Sequence, residues 1–209
     1  MYSFYLPVWK GVNPDTGLGE FWVDPEDTSK GVTNYYTDAG STIVGKAVPD
    51  VIGGMTNTFV LADGLVDLSF LISWQFGASL FDYPGYFTHS DGFRAASMNA
   101  AVDAADYWTP ENRNALFPMP IMNNPYRWDR FSSRLIKSTD NIRMREIMMG
   151  CNIPVRRFLE KCRIYVKTTN PFMIWSATPD IDPDVAINGY RTVDVPAVRV
   201  YTLGVNITF

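Results

Sequence analysis

From Val66 to Phe76 the chain alternates: Val66, Leu68, Phe70, Ile72, Trp74 and Phe76 share one parity, Asp67, Ser69, Ser73 and Gln75 the other, and only Leu71 breaks the polar series. Successive side chains of an extended strand project to opposite faces, so this run predicts a strand with one apolar and one polar face. The chain closes on the same pattern, with Tyr201, Leu203, Val205, Ile207 and Phe209 opposing Thr202, Gly204, Asn206 and Thr208. Residues 52–61 carry Met55, Phe59 and Leu61 against Thr56 and Thr58, and Ala62-Asp63-Gly64 predicts a hairpin between this run and the next. In 141–153, Ile147, Met149, Cys151 and Ile153 lie on one face while Ile142 and Met144 have the opposite parity, which predicts a bulge near Glu146. Residues 163–172 begin a further strand with Ile164 and Val166 outward. Residues 2–10 add a sixth, with 11–36 as a long loop or hairpin after it.

Strand length and loop length then narrow the fold class. A tilted strand needs about 9 to 11 residues to cross a bilayer, which the 66–76 run supplies. Trp74 and Phe76 lie at one end of it, where an interfacial aromatic girdle would stand. The connections at 62–65 and 154–161 are short, those at 78–135 and 173–195 long. Bacterial membrane barrels sort their loops in this way, short on the periplasmic side and long on the extracellular side. The expectation is an all-β chain supplying antiparallel strands of a transmembrane barrel, with long extracellular loops. Five or six strands cannot close such a barrel and would leave an open edge, so the fragment is not expected to fold as an independent unit.

Composition adds limits. Hydrophobic residues make up 46% of the 209 positions and aromatic residues 14%, yet no stretch is long and apolar enough for a membrane helix. A net charge of −4 offers nucleic acid no general attraction. Met1 is followed by Tyr2-Ser3-Phe4-Tyr5-Leu6, without the basic and apolar regions of a signal peptide. Met1 is therefore read as internal to a longer polypeptide, and no domain boundary is placed within 1–209.

Several motifs, in order, resemble the C-terminal end of SusC/RagA-type TonB-dependent outer-membrane transporters. Gly11-Val12-Asn13-Pro14-Asp15-Thr16-Gly17 resembles that family's G-x-(D/N)-P-x-T-G turn. Gly45-Lys46-Ala47-Val48-Pro49 followed by Gly53-Gly54-Met55-Thr56-Asn57-Thr58-Phe59 resembles its G-G-x-x-N-T-F segment. Asp67-Leu68-Ser69, Gln75-Phe76-Gly77 and Tyr107-Trp108-Thr109-Pro110-Glu111-Asn112 follow in family order, and the last twelve residues resemble its R-T-Y-T-F-G-L-N-V-T-F ending. Ala62-Asp63-Gly64-Leu65-Val66 departs from the commoner Y-K-G-F turn, and Cys151 stands where an aromatic residue is frequent. The resemblance implies a barrel of about 22 strands, placed in the outer membrane of a Gram-negative bacterium, of which this chain is the closing segment. Signal peptide, TonB box, plug and most strands fall outside it. The resemblance also implies import of glycan oligomers or peptides, a SusD-like surface lipoprotein as lid, a TonB complex acting on the missing N-terminal region, and Phe209 as part of the assembly signal. It implies no catalytic residues and no cofactor.

Candidate chemistry lies in the loops. Tyr83, Tyr86, Tyr107, Trp108, Tyr126 and Trp128 are the candidates for ligand or partner contact, because flat aromatic faces stack on sugars and dominate protein interfaces. Such rings also build the loops' own clusters. Asp180-Ile181-Asp182-Pro183-Asp184 spaces carboxylates like the start of a calcium loop, but Val185 and Arg191 stand where glycine and glutamate are required, so no metal site is expected. Arg143 and Arg145 share parity and point to the polar face, and Arg156, Arg157, Lys161 and Arg163 gather at the 154–161 turn. Cys151 and Cys162 flank that turn, either bridged or as two small apolar side chains. Two soluble readings compete: a secreted carbohydrate-binding β-sandwich, and a glycan-cleaving enzyme needing paired carboxylates. No spacing of Asp103, Asp106 or Glu111 selects such a pair.

Overall fold

The structure is a computed structural model, and it describes residues 3–154, 160–185, 188–193 and 195–209. The chain divides into two compact units. One is built from 49–78, 138–185 and 195–209 and holds a five-stranded antiparallel sheet; the other is built from 1–48, 79–137 and 186–194.

In chain order the strands are β1 (Ser3–Pro7), β2 (Trp9–Val12), β3 (Gly19–Trp22), β4 (Val32–Thr33), β5 (Ser41–Lys46), β6 (Val51–Leu61), β7 (Val66–Phe76), β8 (Ser79–Asp82), β9 (Ile136–Ser138), β10 (Asn141–Ile153), β11 (Lys161–Ser176), β12 (Tyr190–Arg191) and β13 (Val200–Thr208). A short α-helix, α1 (Tyr83–Thr88), begins with Pro84 in its first turn, where the missing N–H of proline costs nothing.

The five-stranded sheet is a meander, β13-β11-β10-β7-β6, and every neighbouring pair is antiparallel. The β6–β7 hairpin turns through Ala62 and Asp63, both at positive φ, with Leu65 N–H returning to the Ala62 carbonyl at 3.0 Å. The expected strands 66–76 and 141–153 have the observed bounds. β11 is longer than its apolar alternation shows, running to Ser176.

Register aligns the apolar positions across all five strands. Phe59, Leu68, Met149, Val166 and Leu203 form one continuous cross-strand row. The bulge keeps this face intact along β10. Met144 pairs with Ile72 and Glu146 with Leu71, so Arg145 is the extra residue. Ile142 is thereby brought opposite Trp74 and Met144 opposite Ile72, although their sequence parity differs from that of Ile147.

All eleven residues of β7, the second strand from one edge, are half-buried. No large apolar side chain of the five strands is buried, and Met149, Val166 and Leu203 are 57%, 52% and 74% exposed. The apolar face of this sheet has no protein covering among the described residues. No described helix is long and apolar enough to cross a membrane.

The second unit holds most of the hydrophobic core: Phe21, Leu80, Phe81, Phe117, Trp128 and Leu135 are buried there. Its sheets are β1-β5, β2-β3-β4 and β12-β8-β9. Here the sequence-based expectation is corrected. Of the expected strand 2–10, the described residues 3–10 do not extend the five-stranded sheet; β1 pairs with β5, and β2 starts a separate small sheet. Pro7 and the register shift at Phe4/Tyr5 limit β1 to a short strand.

Candidate functional site

The polar face of the five-stranded sheet is a field of paired charges. Lys167 Nζ meets Glu146 at 2.6 Å, and Arg163 Nη2 donates to Asp67 at 2.5 Å. The second pair crosses Gly150, which sits between Asp67 and Tyr165 in register; a Cβ there would lie 2.6 Å from the Arg163 guanidinium and 2.7 Å from the Asp67 carboxylate. In the same row, the Tyr165 ring covers Gly204 and leaves no room for a Cβ there. Glycine in these strands is therefore the floor beneath larger neighbours.

Arg143 and Arg145 do lie on the polar face, as their parity indicates, but they are not free to greet a solute. Arg143 binds Asp182 and also meets Asp184 at 2.9 Å; Arg145 binds both oxygens of Asp184 and donates from Nε to Ser73 at 2.6 Å. The Asp182 and Asp184 carboxylates are thus occupied by guanidinium groups. Sequence reading noted both members of each pair and missed the pairing, because 39 residues separate them and no local spacing records it.

The six loop aromatics divide by placement. Tyr83 stacks on Tyr86 (6.0 Å, 13°), and Tyr86 packs edge-on against Phe131 at 4.7 Å with the Arg94 guanidinium 4.1 Å over its face. Tyr126 lies flat on Trp128 (5.1 Å, 5°), and Tyr35 packs tilted against Tyr126 at 4.9 Å. Trp128 is 1% exposed and donates its indole N–H to the Asn34 carbonyl at 2.9 Å, so it is a core residue of the unit. Trp108 donates to the Pro14 carbonyl at 2.9 Å and covers Gly17. Tyr107 is 41% exposed and lines an apolar cavity of about 450 Å³ together with Met98, Val102 and Phe117. Tyr83 and Tyr107 present the most ring surface of the six.

Buried ion pairs stiffen these loops. Asp129, whose side chain has no exposed surface, accepts from Arg94 at 3.1 Å and Arg127 at 3.0 Å; Asp91 holds both terminal nitrogens of Arg134. The Asp129 contacts hold the Arg127 guanidinium pKa above its ordinary value against the opposing effect of burial. His89 stacks on Phe117 at 5.0 Å and meets Asp103 at 2.8 Å. Burial works to raise the Asp103 pKa, and the hydrogen bond and charge of His89 outweigh it, leaving the carboxyl below its usual range. Glu20 behaves alike: burial pushes upward, but Lys10 at 2.6 Å and Asn13 at 2.8 Å bring the pKa down.

Cys151 and Cys162 are free thiols. Cys151 pairs with Ile164 and Cys162 with Ile153, so they are diagonal neighbours, about 7 to 8 Å apart on such a sheet and too far for a bridge. Arg156 and Arg157 lie outside the described residues. Phe209 follows the last strand and is 85% exposed.

No protein-family model matches the chain. It is 24% identical over 187 residues to TonB-dependent receptor P26 of Formosa agariphila, an alignment covering 81% of this chain and 18% of that receptor. Its fold matches the RagAB peptide transporter with a TM-score of 0.82 at 18% identity, covering 99% of this chain and 23% of that one. The RagAB peptide importer in its open-open state gives 0.83, also at 18% identity, over 22% of its chain. The chain therefore spans less than a quarter of the proteins it resembles.

Proposed function

We propose that this chain, similar in sequence and in fold to a barrel segment of SusC/RagA-type TonB-dependent transporters, forms part of the wall of an outer-membrane importer for oligomeric nutrients. The observation that supports this reading is the uncovered apolar face. A row of large side chains from Phe59 to Leu203 crosses five strands without a partner layer, while the opposite face carries paired charges. A soluble sandwich buries such a face against a second sheet about 10 Å away. Lipid covers it instead, and the polar face lines the interior of the barrel.

In this reading the substrate is an oligosaccharide or a peptide. TonB acts on an N-terminal region of the longer polypeptide, and a SusD-like lipoprotein closes over the loops. Tyr83, Tyr86, Tyr107, Trp108 and Tyr126 belong to the surface that meets substrate or lid, whereas buried Trp128 backs Tyr126. The resemblance assigns the exposed terminal Phe209 to the assembly signal. No enzymatic step is needed.

Fractionation of cells expressing the full-length polypeptide tests the proposal. The polypeptide is expected in the outer membrane, resistant to urea and alkaline extraction, and its deletion is expected to abolish growth on one class of oligomer in a TonB-dependent way. Recovery in the soluble secreted fraction would favour the sandwich reading.

A further inference from the structure

Residues 177–185 lie against the polar face of β10, and their two ends are fastened by different chemistry. The near end uses neutral bonds: Ala177 N–H to the Asp140 carbonyl at 2.9 Å and the Thr178 hydroxyl to the Ser138 carbonyl at 2.9 Å. The far end uses charge. Asp182 and Asp184, two residues apart around Pro183, meet Arg143 and Arg145, two residues apart on β10. Asp182 turns the segment by accepting from Asp184 N–H at 3.0 Å and also takes Ala197 N–H at 3.4 Å.

We propose that 177–185 is a strap latched across the inner wall of the barrel, that Arg143 and Arg145 are the positioning residues of the latch, and that the strap narrows the passage until it is released. The inference rests on the reading of the polar face as that inner wall. Three observations carry it. Arg145 is the bulged residue, so β10 departs from regular pairing at the position where the second guanidinium is delivered. Buried Arg143 leaves its own Nε without a partner while its terminal nitrogens reach the strap, so the side chain is committed to the latch at the expense of its own satisfaction. Beside the strap is a cavity of about 580 Å³ whose lining includes Arg143, Asp180, Ile181 and Asp182 together with Met173 and Ser176 of β11. The segment is thus held by its latch with open space next to it.

The Asp182 and Asp184 side chains retain 18% and 24% exposure, so water and salt reach the carboxylates while Arg143 stays buried. Screening weakens exposed charge pairs most, which makes the far end the one that opens.

Thiol accessibility in the full-length receptor, in native outer membranes, tests the proposal. Ile181→Cys reports on the strap, because Ile181 is only 7% exposed when latched. Ser69→Cys reports on the polar wall. A small and a large impermeant maleimide are the probes, with Cys151 and Cys162 labelling measured in the parent. Asp184→Asn and Arg145→Gln are each expected to raise the Ile181→Cys rate on the order of tenfold, as removing one member of a partly buried pair does. The same changes are expected to admit the large reagent to Ser69→Cys, and the swap Arg145→Asp with Asp184→Arg to restore slow labelling. Heat-modifiable gel migration confirms that each variant is folded, and high salt applied to the unsubstituted latch gives the same readout without mutation. Unchanged Ile181→Cys labelling in both variants overturns the latch; unchanged large-reagent access at Ser69→Cys overturns the narrowing. Met149→Cys on the apolar face separates the two readings: free reaction there in intact membranes sinks the barrel-wall reading whatever the strap does.

Discussion

Arg163 reaches Asp67 by passing directly over Gly150, so an ion pair between two strands is possible because the strand between them carries no side chain at that position. Adding a methyl group in Gly150→Ala puts a carbon within 2.7 Å of both partners and displaces them. The expected loss is about 1 to 2 kcal/mol, typical of a local steric change with a broken pair. In the background Asp67→Ala with Arg163→Ala the same Gly150→Ala is expected to cost little. A double-mutant cycle on unfolding of the full-length polypeptide in urea checks the coupling.

Gly204 beneath Tyr165 gives a second case in the same row. Gly204→Val lifts the ring off the sheet near the end of the chain, where β13 depends on a single neighbouring strand in this sheet. Overpacking of this kind costs about 1 to 3 kcal/mol. Folding yield into detergent or lipid vesicles is the measurement, and Gly204→Val combined with Tyr165→Gly is expected to recover most of the loss.

In the loop unit, Arg134→Ala leaves the Asp91 carboxylate buried without its partner. Breaking a buried pair from one side costs about 3 to 5 kcal/mol. Hydrogen exchange of peptides spanning 90–94 and 117–121 in the full-length protein is expected to accelerate strongly. Arg134→Ala paired with Asp91→Ala is expected to be milder, since no unpaired charge remains.

Trp128 and Tyr107 make opposite demands on the candidate contact surface. Trp128→Ala removes a fully packed indole and its bond to Asn34, an expected loss of about 3 to 5 kcal/mol and of the loop fold with it. Tyr107→Ala is expected to leave melting within about 1 kcal/mol of the parent while weakening capture of substrate or lid. Thermal melting alongside binding separates the two.

Glu20 links the loop unit to pH. Its pKa is depressed in the folded protein, so the contribution of the Lys10 and Asn13 contacts is complete above the ordinary carboxylate pKa. That contribution is lost as pH falls through the lower, folded-state pKa. Exchange protection across β2 and β3 is expected to fall on acidification in the parent, with a smaller acid-induced change in Glu20→Gln.

The strands were legible wherever alternation was strict. β7 needed no tertiary information, and the bulge of β10 announced itself because Ile142 and Met144 change parity relative to Ile147. The pairing of β1 with β5 was not legible, since a five-residue strand carries too little alternation to name its partner. The site was read in part. Arg143 and Arg145 were placed on the correct face, but their carboxylate partners come from a distant loop. Among the aromatics, nothing in sequence distinguished buried Trp128 from exposed Tyr107, because burial in an irregular loop follows from packing and not from period. The Asp129 and Asp91 pairs were missed for the same reason, their arginines lying 35 and 43 residues away for Arg94 and Arg134.

The single extra residue at Arg145 gives β10 two phases. Before it, even-numbered positions face outward; after it, odd-numbered ones do. A hydrophobic substitution tolerated at an even position of the first half would therefore disturb the charged face in the second half. Deleting Arg145 would make the two halves agree in number and leave Ile142, Met144 and Arg143 on the faces they already occupy, while removing the guanidinium that binds Asp184. The strand thus works as a frame-shifted pair of short strands joined at one residue, and a library designed on it has to change its reading frame there.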